Sequence, residues 1–598
     1  AGDISVDLLT VPRTHIILEI SSTYNLVNII HEPTRISHSS NTLLDPIFTA
    51  TDIQVYESGT LVMDSSVSDH KATYIALSSS LNYNRSYKRK VWIYKDADFD
   101  KLNSLIQHCD WTNIITEADN VNIAVDNFTT KFLSFVRECI PEQTITIRPR
   151  DKPWFDSVLR RTIRVRDRLR NKAIETNKDS VWSAYRKVRN SVNNMKKHAI
   201  SNYYDNIETY LDDSSKNNTK LYWKLMKDSF HMKLSTELPP IQISNVNGTT
   251  KFVYSDFGKI ESLNTYFSSI SSVDNKNAAL PNMYSLCRET LCNIYINEQE
   301  VLDIISILPV NKAIGPDLVS HKMLKATLFT NVKPLTLLFN RSLVDNTFPC
   351  FWKIAHVIPL FKKDDPSLVS NYRPVSLLSC VSKIMERIVF KHVYNYFHRN
   401  NLFYRYQAGF LPGHSTVYQL LETYHSIVQN IDEGKFSCMI FCDLSIAFER
   451  VWRSGLLFKL QTYGVCGDLL KWFSSYLSQR SQKVMYKDLL SSTSEISAGV
   501  PQGSVLGPLL FLIYVNDVAV NMLSLCRLFA DDSSLQYSSN NILNIEYILN
   551  HDLKILESWS KKWLLKFNSS KTKVVFFTKK HNYGSPFRTY QKIFLNLI

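Results

Sequence analysis

The chain has 598 residues, 44% hydrophobic and 21% charged, with only 15 Gly and 20 Pro. This composition excludes a wholly disordered chain, and the length predicts roughly three or four folded units at about 150 residues each. The formal net charge of +14 favours a polyanionic partner. Most of that charge is local, because residues 148–197 contain sixteen Lys or Arg against five Asp or Glu.

Neither a membrane anchor nor a zinc site is indicated. The longest apolar run, LLFLIYV at 509–515, is far below the roughly 18 residues needed to cross a bilayer. No signal peptide is recognisable. The ten Cys are scattered, and no second Cys or His cluster completes a zinc site around Cys287 and Cys292. We expect buried free thiols in a reducing compartment.

Three segments make up the N-terminal half. Residues 1–85 alternate short β-rich runs with turns, which suits a sheet-containing module. Residues 86–231 show helical periodicity and contain the basic block. Residues 232–296 are rich in loop signals, and we predict that they are a linker.

The basic block interleaves aromatic residues with its cations, at Trp154, Trp182 and Tyr185. Cations that follow phosphates and aromatics that stack on bases are typical of nucleic-acid binding. The alternative is a solvated helix face whose aromatic side chains reach the core.

The strongest local pattern lies in the C-terminal segment, residues 297–598. In LCRLFADDSSLQY, apolar residues on both sides of Asp531 and Asp532 predict a β-hairpin with two carboxylates at its tip. An isolated pair of this kind is more often an exposed acidic turn. The upstream run FSCMIFCD changes that balance, because it predicts a buried strand that ends in Asp443. Together the two elements can hold two divalent ions for in-line displacement at a phosphate, and oxygen ligands fit Mg²⁺.

A glycine-rich loop lies between these two elements. In SAGVPQGSVLGPLLFLIYV, Gly499, Gly503 and Gly507 stand close to Pro residues, which predicts a tight loop before a helix. Small residues there would let a base pair and a nucleotide sugar approach the backbone. The alternative is an ordinary turn before a core helix.

A series of seven motifs follows one order along this half of the chain. They are AHVIPLFKKDD, NYRPVSLLSCVSKIMERI, YQAGFLPGHST, CDLSIAFERVW, AGVPQGSVLGPLLF, LFADDSS and FNSSKTKVVFF. The series resembles the reverse transcriptases of non-LTR (LINE-type) retrotransposons, closest to jockey-like elements, over about residues 300–580. The resemblance implies an α+β right-hand polymerase with fingers, an antiparallel palm sheet backed by helices, and a thumb that is cut short.

The resemblance also implies a role for each matching residue. The catalytic carboxylates, and the ligands of two Mg²⁺ ions with Mn²⁺ as the alternative, would be Asp443, Asp531 and Asp532. Phe448 would clash with a ribose 2′-hydroxyl and so select deoxynucleotides. Gln502 and Gly503 would lie against the incoming nucleotide and the template.

Basic residues would bind the phosphates. Arg373, and with it Lys363, matches residues that bind the triphosphate, and the planar fork of Arg suits this role. Lys571 would lie near the leaving pyrophosphate, with Lys573 as an alternative.

Two positions depart from the family pattern. The family usually has Lys or a similar polar residue where Ile446 stands, and more commonly Asp where Glu449 stands. Neither residue is expected to bind metal, so the chemistry should survive both changes.

The N-terminal segment carries a second resemblance. GDISVDLL, TRISHSSNTLLDPIFTA and VSDHKA are similar to the C-terminal part of the apurinic-endonuclease-like domain, an endonuclease/exonuclease/phosphatase-type α/β sandwich. The resemblance implies four active-site positions: Asp3, Asp45, Asp69 and His70. Ser5 replaces the Asn of the family motif, and the half with the metal-binding Glu is not in the sequence. We expect an inactive remnant in this chain, whereas an intact parent protein would nick DNA.

These resemblances imply a set of partners and a location. The partners would be template RNA, primer or target DNA, deoxynucleoside triphosphates and an element-encoded RNA-binding protein, with no membrane. The protein would be intracellular, acting in the nucleus after a cytoplasmic ribonucleoprotein stage. Three alternatives stay open: a group II intron or telomerase-type polymerase, a viral RNA polymerase, and an inactive nucleic-acid-binding remnant.

Overall fold

The computed structural model divides into two compact units, residues 1–85 and 86–598. It describes residues 6–578 except 13–14, 24–25, 38–39, 51–54, 64–67, 78–85, 148–153, 207–221, 224, 227–237, 245–249, 276–277 and 282–285.

The first unit consists of short antiparallel strand pairs and one helix. Its elements are α1 (Ile16–Thr23), β1 (Leu26–Asn28), β2 (Arg35–Ile36), β3 (Asn41–Thr42), β4 (Phe48–Ala50), β5 (Val55–Leu61) and β6 (Ala72–Leu77). β1 pairs with β4, β2 with β3, and β5 with β6. The described residues of this unit pack around a buried core of Ile30, Leu43 and Ile47. The layered sandwich that the resemblance implies stays a prediction.

The second unit opens with helices enclosed by one strand pair. Its first elements are β7 (Tyr87–Trp92), α2 (Phe99–Gln107), α3 (Trp111–Thr116), α4 (Val121–Cys139) and β8 (Glu142–Ile147). Asp98, Asp110 and Asn120 begin the three helices, and each side chain accepts backbone N–H groups of the first turn. These residues are helical as the periodicity predicts, with the addition of the antiparallel pair β7–β8.

The basic block forms a helical hairpin of α5 (Ser157–Thr176) and α6 (Asp179–Asp205). Asn177 ends α5 in the left-handed conformation, with φ of 48°. All the described cations of the two helices are exposed except Arg166, which is partly buried. Trp182 and Tyr185 are half-buried and pack edge to face at 5.7 Å. The cations therefore face solvent, whereas the aromatic rings lie partly inside the hairpin.

The predicted linker contains ordered structure, so that prediction is wrong for its middle part. β9 (Ile241–Ser244) and β10 (Thr250–Val253) form an antiparallel pair, followed by α7 (Asp256–Ile270). α7 buries Leu263 and Phe267 in a second core. Turn residues around 238–250 dominated the sequence pattern and obscured the helical periodicity that follows.

A mixed five-stranded sheet lies over this second core, and we call it the fingers sheet. Its strands are β11 (Ile354–Phe361), β12 (Tyr372–Leu377), β14 (Arg480–Tyr486), β15 (Leu489–Leu490) and β16 (Ser494–Ile496). β11 pairs antiparallel with β12 and parallel with β14, to which β15 and β16 are attached.

A second five-stranded sheet is antiparallel throughout, and we call it the palm sheet. Its strands are β13 (Phe436–Ser445), β17 (Leu525–Phe529), β18 (Asp532–Ser539), β19 (Lys566–Phe567) and β20 (Lys573–Phe577). β13 is central, with β18 on one side and both β19 and β20 on the other. Cys438, Ile440 and Cys442 alternate into the main core, so Asp443 lies on the opposite face.

Helices back the palm sheet and join the two sheets. They are α8 (Glu298–Ser306), α9 (His321–Ala326), α10 (Leu328–Val344), α11 (Cys380–Arg399), α12 (Thr416–Asp432), α13 (Arg453–Thr462), α14 (Gly467–Leu477), α15 (Leu506–Val515) and α16 (Ile542–Trp563). Short 3-10 turns lie at Tyr94–Asp96, Cys350–Lys353 and Val369–Asn371. α15 is apolar on all sides and sits within the main core.

Cysteine pairing departs in one place from the expectation of free thiols. Cys292 and Cys466 form a disulfide, with their Cα atoms 4.5 Å apart. The neighbouring residues Leu291 and Val465 form a parallel bridge, which brings these distant positions together. Five further Cys are buried free thiols: Cys139, Cys380, Cys438, Cys442 and Cys526. Within the described ranges, no helix is both long and apolar enough to span a bilayer.

Candidate active site

Strand pairing brings the predicted carboxylates together at one end of the palm sheet. Asp443 on β13 lies directly opposite Asp532 on β18. Phe529 pairs with Asp532 to close the hairpin, so Ala530 and Asp531 form a two-residue turn. Because paired residues on adjacent antiparallel strands share a face, the side chains of Asp443 and Asp532 point to the same side of the sheet.

The three carboxylates interact electrostatically. Burial raises the pKa of Asp532, and the negative charges of Asp531 and Asp443 raise it further, while Lys571 opposes them. The Lys571 Nζ lies 2.5 Å from Asp443 Oδ2. The alternative Lys573 lies on β20, opposite Phe441. Lys571 is therefore the lysine that contacts the carboxylates.

The donor set of these carboxylates suits a divalent cation. All the donors are oxygens, and a bound cation would relieve the repulsion that raises the pKa of Asp532. Within the part of the chain that the structure describes, no three His, Cys, Asp or Glu side chains are already arranged to hold one ion. The carboxylates fit a metal in chemistry and location, and Lys571 contacts one of the two oxygens of Asp443.

Phe448 is held between the end of β13 and the glycine-rich loop. Its ring stacks on Phe511 of α15 at 4.8 Å and meets Phe410 edge to face at 5.9 Å. Its carbonyl accepts the N–H of Val500 at 2.9 Å. These contacts fix the ring five positions beyond Asp443.

The loop containing Gln502 and Gly503 packs against the fingers sheet. The Ser376 N–H of β12 donates to the Gln502 carbonyl at 2.9 Å. Gly503 has a φ of 113°, and a Cβ at this position would lie 2.5 Å from the Ser376 carbonyl oxygen. A glycine is therefore required both by the backbone conformation and by the close approach.

Arg373 on β12 has a lysine neighbour that sequence reasoning missed. Arg373 pairs with Leu360 on β11, so Lys362, two residues further on, lies on the same face by strand alternation. Burial lowers the pKa of Lys362, the cations of Lys571 and Arg373 lower it further, and Asp443 opposes them. Lys363, the predicted residue, instead lies 3.7 Å from Asp364, and both are exposed. The period-2 pattern could have identified Lys362.

The two departures from the family pattern lie next to these carboxylates. Burial and the charge of Asp531 raise the pKa of Glu449, while Arg373 opposes them. Ile446 adopts a left-handed φ of 53°, which is unfavourable for a β-branched residue.

In the first unit, the structure brings together two of the four endonuclease-like positions. His70 Nδ1 lies 2.7 Å from Asp45 Oδ2. Asp69 is paired instead with Arg35, whose Nε lies 2.7 Å from Asp69 Oδ2. Asp3 lies outside the described residues.

An antiparallel sheet that carries three carboxylates at one end, within electrostatic reach of basic residues from the fingers sheet, is the palm arrangement of a nucleotide polymerase. A model of the family described as reverse transcriptase (RNA-dependent DNA polymerase) matches residues 361–589. The chain therefore contains a reverse transcriptase domain, of an enzyme family that uses divalent metal ions.

Curated relatives of this domain are named as RNA-directed DNA polymerases of mobile elements. The probable RNA-directed DNA polymerase from transposon BS of Drosophila melanogaster is 35% identical over 300 residues, covering 48% of this chain and 32% of that protein. The RNA-directed DNA polymerase from mobile element jockey of the same species is 31% identical over 291 residues, covering 47% and 32%. Its counterpart in Drosophila funebris is 25% identical over 514 residues, covering 82% and 54%. The matches span between 32% and 54% of these relatives' own lengths.

Proposed function

We propose that this chain is the RNA-directed DNA polymerase of a non-LTR retrotransposon, which adds deoxynucleotides to a primer 3′-hydroxyl for target-primed reverse transcription. The observation that carries the proposal is the pairing of Asp443 with Asp532, with Asp531 in the turn beside them. The names of the relatives support the same activity.

The catalytic roles follow from where the side chains lie. Asp443, Asp531 and Asp532 would hold two Mg²⁺ ions, which when bound activate the 3′-hydroxyl and neutralise the triphosphate. Lys362 and Arg373 share a strand face on the fingers side, where they can pair with the phosphates of the incoming nucleotide.

Two further elements would select the nucleotide. The Phe448 ring, held by Phe511 and Phe410, would exclude a ribose 2′-hydroxyl. The loop of Gln502 and Gly503, held against β12, would support the incoming nucleotide and the template.

The basic hairpin α5–α6 would bind the nucleic acid outside the polymerase centre. Its cations face solvent along both helices, as phosphate contacts require, and binding there should weaken steeply with salt. Template RNA and target DNA are the expected ligands, and they imply a nuclear site of action after a cytoplasmic ribonucleoprotein stage. An element-encoded RNA-binding protein would share that particle.

The contact between His70 and Asp45 favours an endonuclease-like origin for the first unit, because a paired imidazole can serve at a scissile phosphate. Asp69 is engaged by Arg35, so we propose no cleavage at this pair of residues.

Primer extension tests the polymerase proposal. With oligo(dT) on poly(rA), dTTP and MgCl₂, we expect incorporation that is lost in Asp531→Ala. Asp488→Ala, at an exposed aspartate between β14 and β15, is the matched control and should retain it. A folded wild-type chain that incorporates nothing would contradict the proposal and favour an inactive nucleic-acid-binding remnant.

A further inference from the structure

The turn that carries Asp531 has a backbone conformation that needs support. Ala530, the residue before it, has a left-handed φ of 60°, which residues with a Cβ rarely adopt. The two carboxylates that follow also repel each other. Such a hairpin needs contacts from another part of the chain to fix the direction of the Asp531 side chain.

A buried glutamine from the YQAGF motif makes such a contact. Gln407 is 3% exposed. Its side-chain Oε1 accepts the N–H of Ala530 at 3.1 Å and the N–H of Gly409 at 2.8 Å. One carboxamide oxygen therefore ties the catalytic turn to a segment more than a hundred residues earlier in the chain.

Backbone pairing places the carboxamide beside the turn. Leu528 N–H donates to the Tyr406 carbonyl at 3.0 Å, and Ala408 N–H donates to the Leu528 carbonyl at 2.9 Å. The segment thus runs along β17, the edge strand of the palm sheet. Gly409 allows this approach, since a Cβ there would lie 2.2 Å from the Ala530 nitrogen.

We propose that Gln407 is a positioning residue of the polymerase centre, whose side-chain oxygen holds the Ala530 N–H and so sets the direction in which Asp531 leaves the turn. The proposal rests on the proposed function. Gln407 contacts backbone groups only, so it would act through Asp531. Its removal should lower kcat and leave the KM for dTTP nearly unchanged, because the nucleotide contacts lie at Arg373 and Phe448.

If Gln407 only stabilised the fold, its loss would act like the loss of any other anchor of this segment. A second anchor that does not contact the turn therefore serves as the control. Asn516 anchors the start of the same segment: its Oδ1 accepts the Tyr404 N–H at 2.8 Å and its Nδ2 donates to the Leu402 carbonyl at 2.7 Å. It makes neither of the contacts with Ala530 and Gly409 that hold the turn. Asn516→Leu should therefore lower the melting temperature while keeping kcat per folded enzyme within about twofold.

The experiment compares Gln407→Met, Gln407→Glu and Asn516→Leu in the full chain. On poly(rA) with oligo(dT), we expect Gln407→Met to lower kcat at least tenfold with KM for dTTP within twofold. Gln407→Glu should recover much of the loss, because a carboxyl oxygen accepts an N–H in either protonation state. Wild-type kcat in Gln407→Met, or a loss matched by Asn516→Leu at equal melting temperature, would overturn the proposal.

A second measurement keeps this inference separate from the proposed function. Binding of Mn²⁺, followed by loss of the free-ion EPR signal, reads the arrangement of the carboxylates without any turnover. We expect Gln407→Met to weaken Mn²⁺ binding at least threefold and Asn516→Leu to leave it unchanged. Equal affinity in wild type and Gln407→Met would refute the positioning role, whereas an inactive wild type that binds Mn²⁺ would refute only the polymerase activity.

Discussion

A buried lysine beneath the palm should contribute to the free energy of unfolding a term that rises with pH. Lys459 of α13 is fully buried, and its Nζ lies 2.5 Å from Asp517 Oδ1 and 3.7 Å from the centre of the Trp563 ring. Burial lowers the pKa of Lys459 to about 8, and the charge of Asp517 only partly offsets that effect. The native state therefore releases this proton well below the ordinary lysine pKa of 10.5.

The direction and size of this pH dependence follow from the linkage between proton binding and folding. Between about pH 8 and 10.5 the unfolded state binds the proton that the native state has lost, so the contribution of Lys459 to stability increases with pH in that window. At 1.36 kcal/mol per pKa unit, the two pKa values correspond to a gain of about 2 kcal/mol in the free energy of unfolding from pH 7 to pH 9.5. Burial raises the pKa of Tyr514 and of the thiols Cys438, Cys442 and Cys526, so these groups act in the opposite sense as the unfolded state loses their protons. The lysine's contribution is therefore measured as the difference between wild type and a Lys459 variant, in which these groups are shared.

Urea unfolding followed by tryptophan fluorescence measures this effect, since Trp559 and Trp563 both lie against the Lys459 ammonium. From pH 7 to 9.5 the free energy of unfolding of the wild type should rise by about 2 kcal/mol relative to that of Lys459→Met. Lys471→Met, at an exposed lysine of α14, should keep this rise. The same pH dependence in wild type and Lys459→Met would refute the reasoning.

Three further predictions concern the centre itself. Phe448→Ala should reduce discrimination against rUTP relative to dTTP at least tenfold in single-nucleotide extension, because the ring no longer fills the space of a 2′-hydroxyl; unchanged discrimination would exclude the steric role. Lys362→Ala should raise the KM for dTTP several-fold, while Lys363→Ala should change it less than twofold. A larger KM effect of Lys363→Ala in steady-state kinetics would contradict the placement of Lys362 beside Arg373. Ile446→Asn should raise the free energy of unfolding by about 1 kcal/mol, since Asn tolerates a left-handed φ better than a β-branched residue. A loss of stability in urea titrations would show that the packing of the Ile446 side chain outweighs its backbone strain.

The palm could be predicted from sequence because its signals are local. The apolar run before Asp443 produced a buried strand, and the alternation around Asp531 and Asp532 produced a hairpin. Sequence also predicted that these carboxylates would meet. The register that pairs Asp443 with Asp532 could not be read from either strand alone, because it is set by the pairing of the two.

The contacts that sequence reasoning missed are non-local. Lys362 and Lys363 are the same residue type just beyond β11, and Lys362 continues the ladder by donating its N–H to the Asn371 carbonyl at 2.8 Å. The role of Gln407 depends on a hydrogen bond to Ala530, and that of Lys459 on Asp517 and aromatic rings from α15 and α16. In the predicted linker, α7 was missed because its apolar side chains gain a partner only when the fingers sheet is in place.

The central position of β13 also constrains how this protein is made. Its neighbours β18 and β20 are both translated later, and β20 ends at Phe577. Until β18 has been made, β13 lacks a neighbour on one side, and until Phe577 has been made the pairing with β20 on the other side is incomplete. A chain released before β20 would therefore expose the edge of an apolar strand, which favours aggregation.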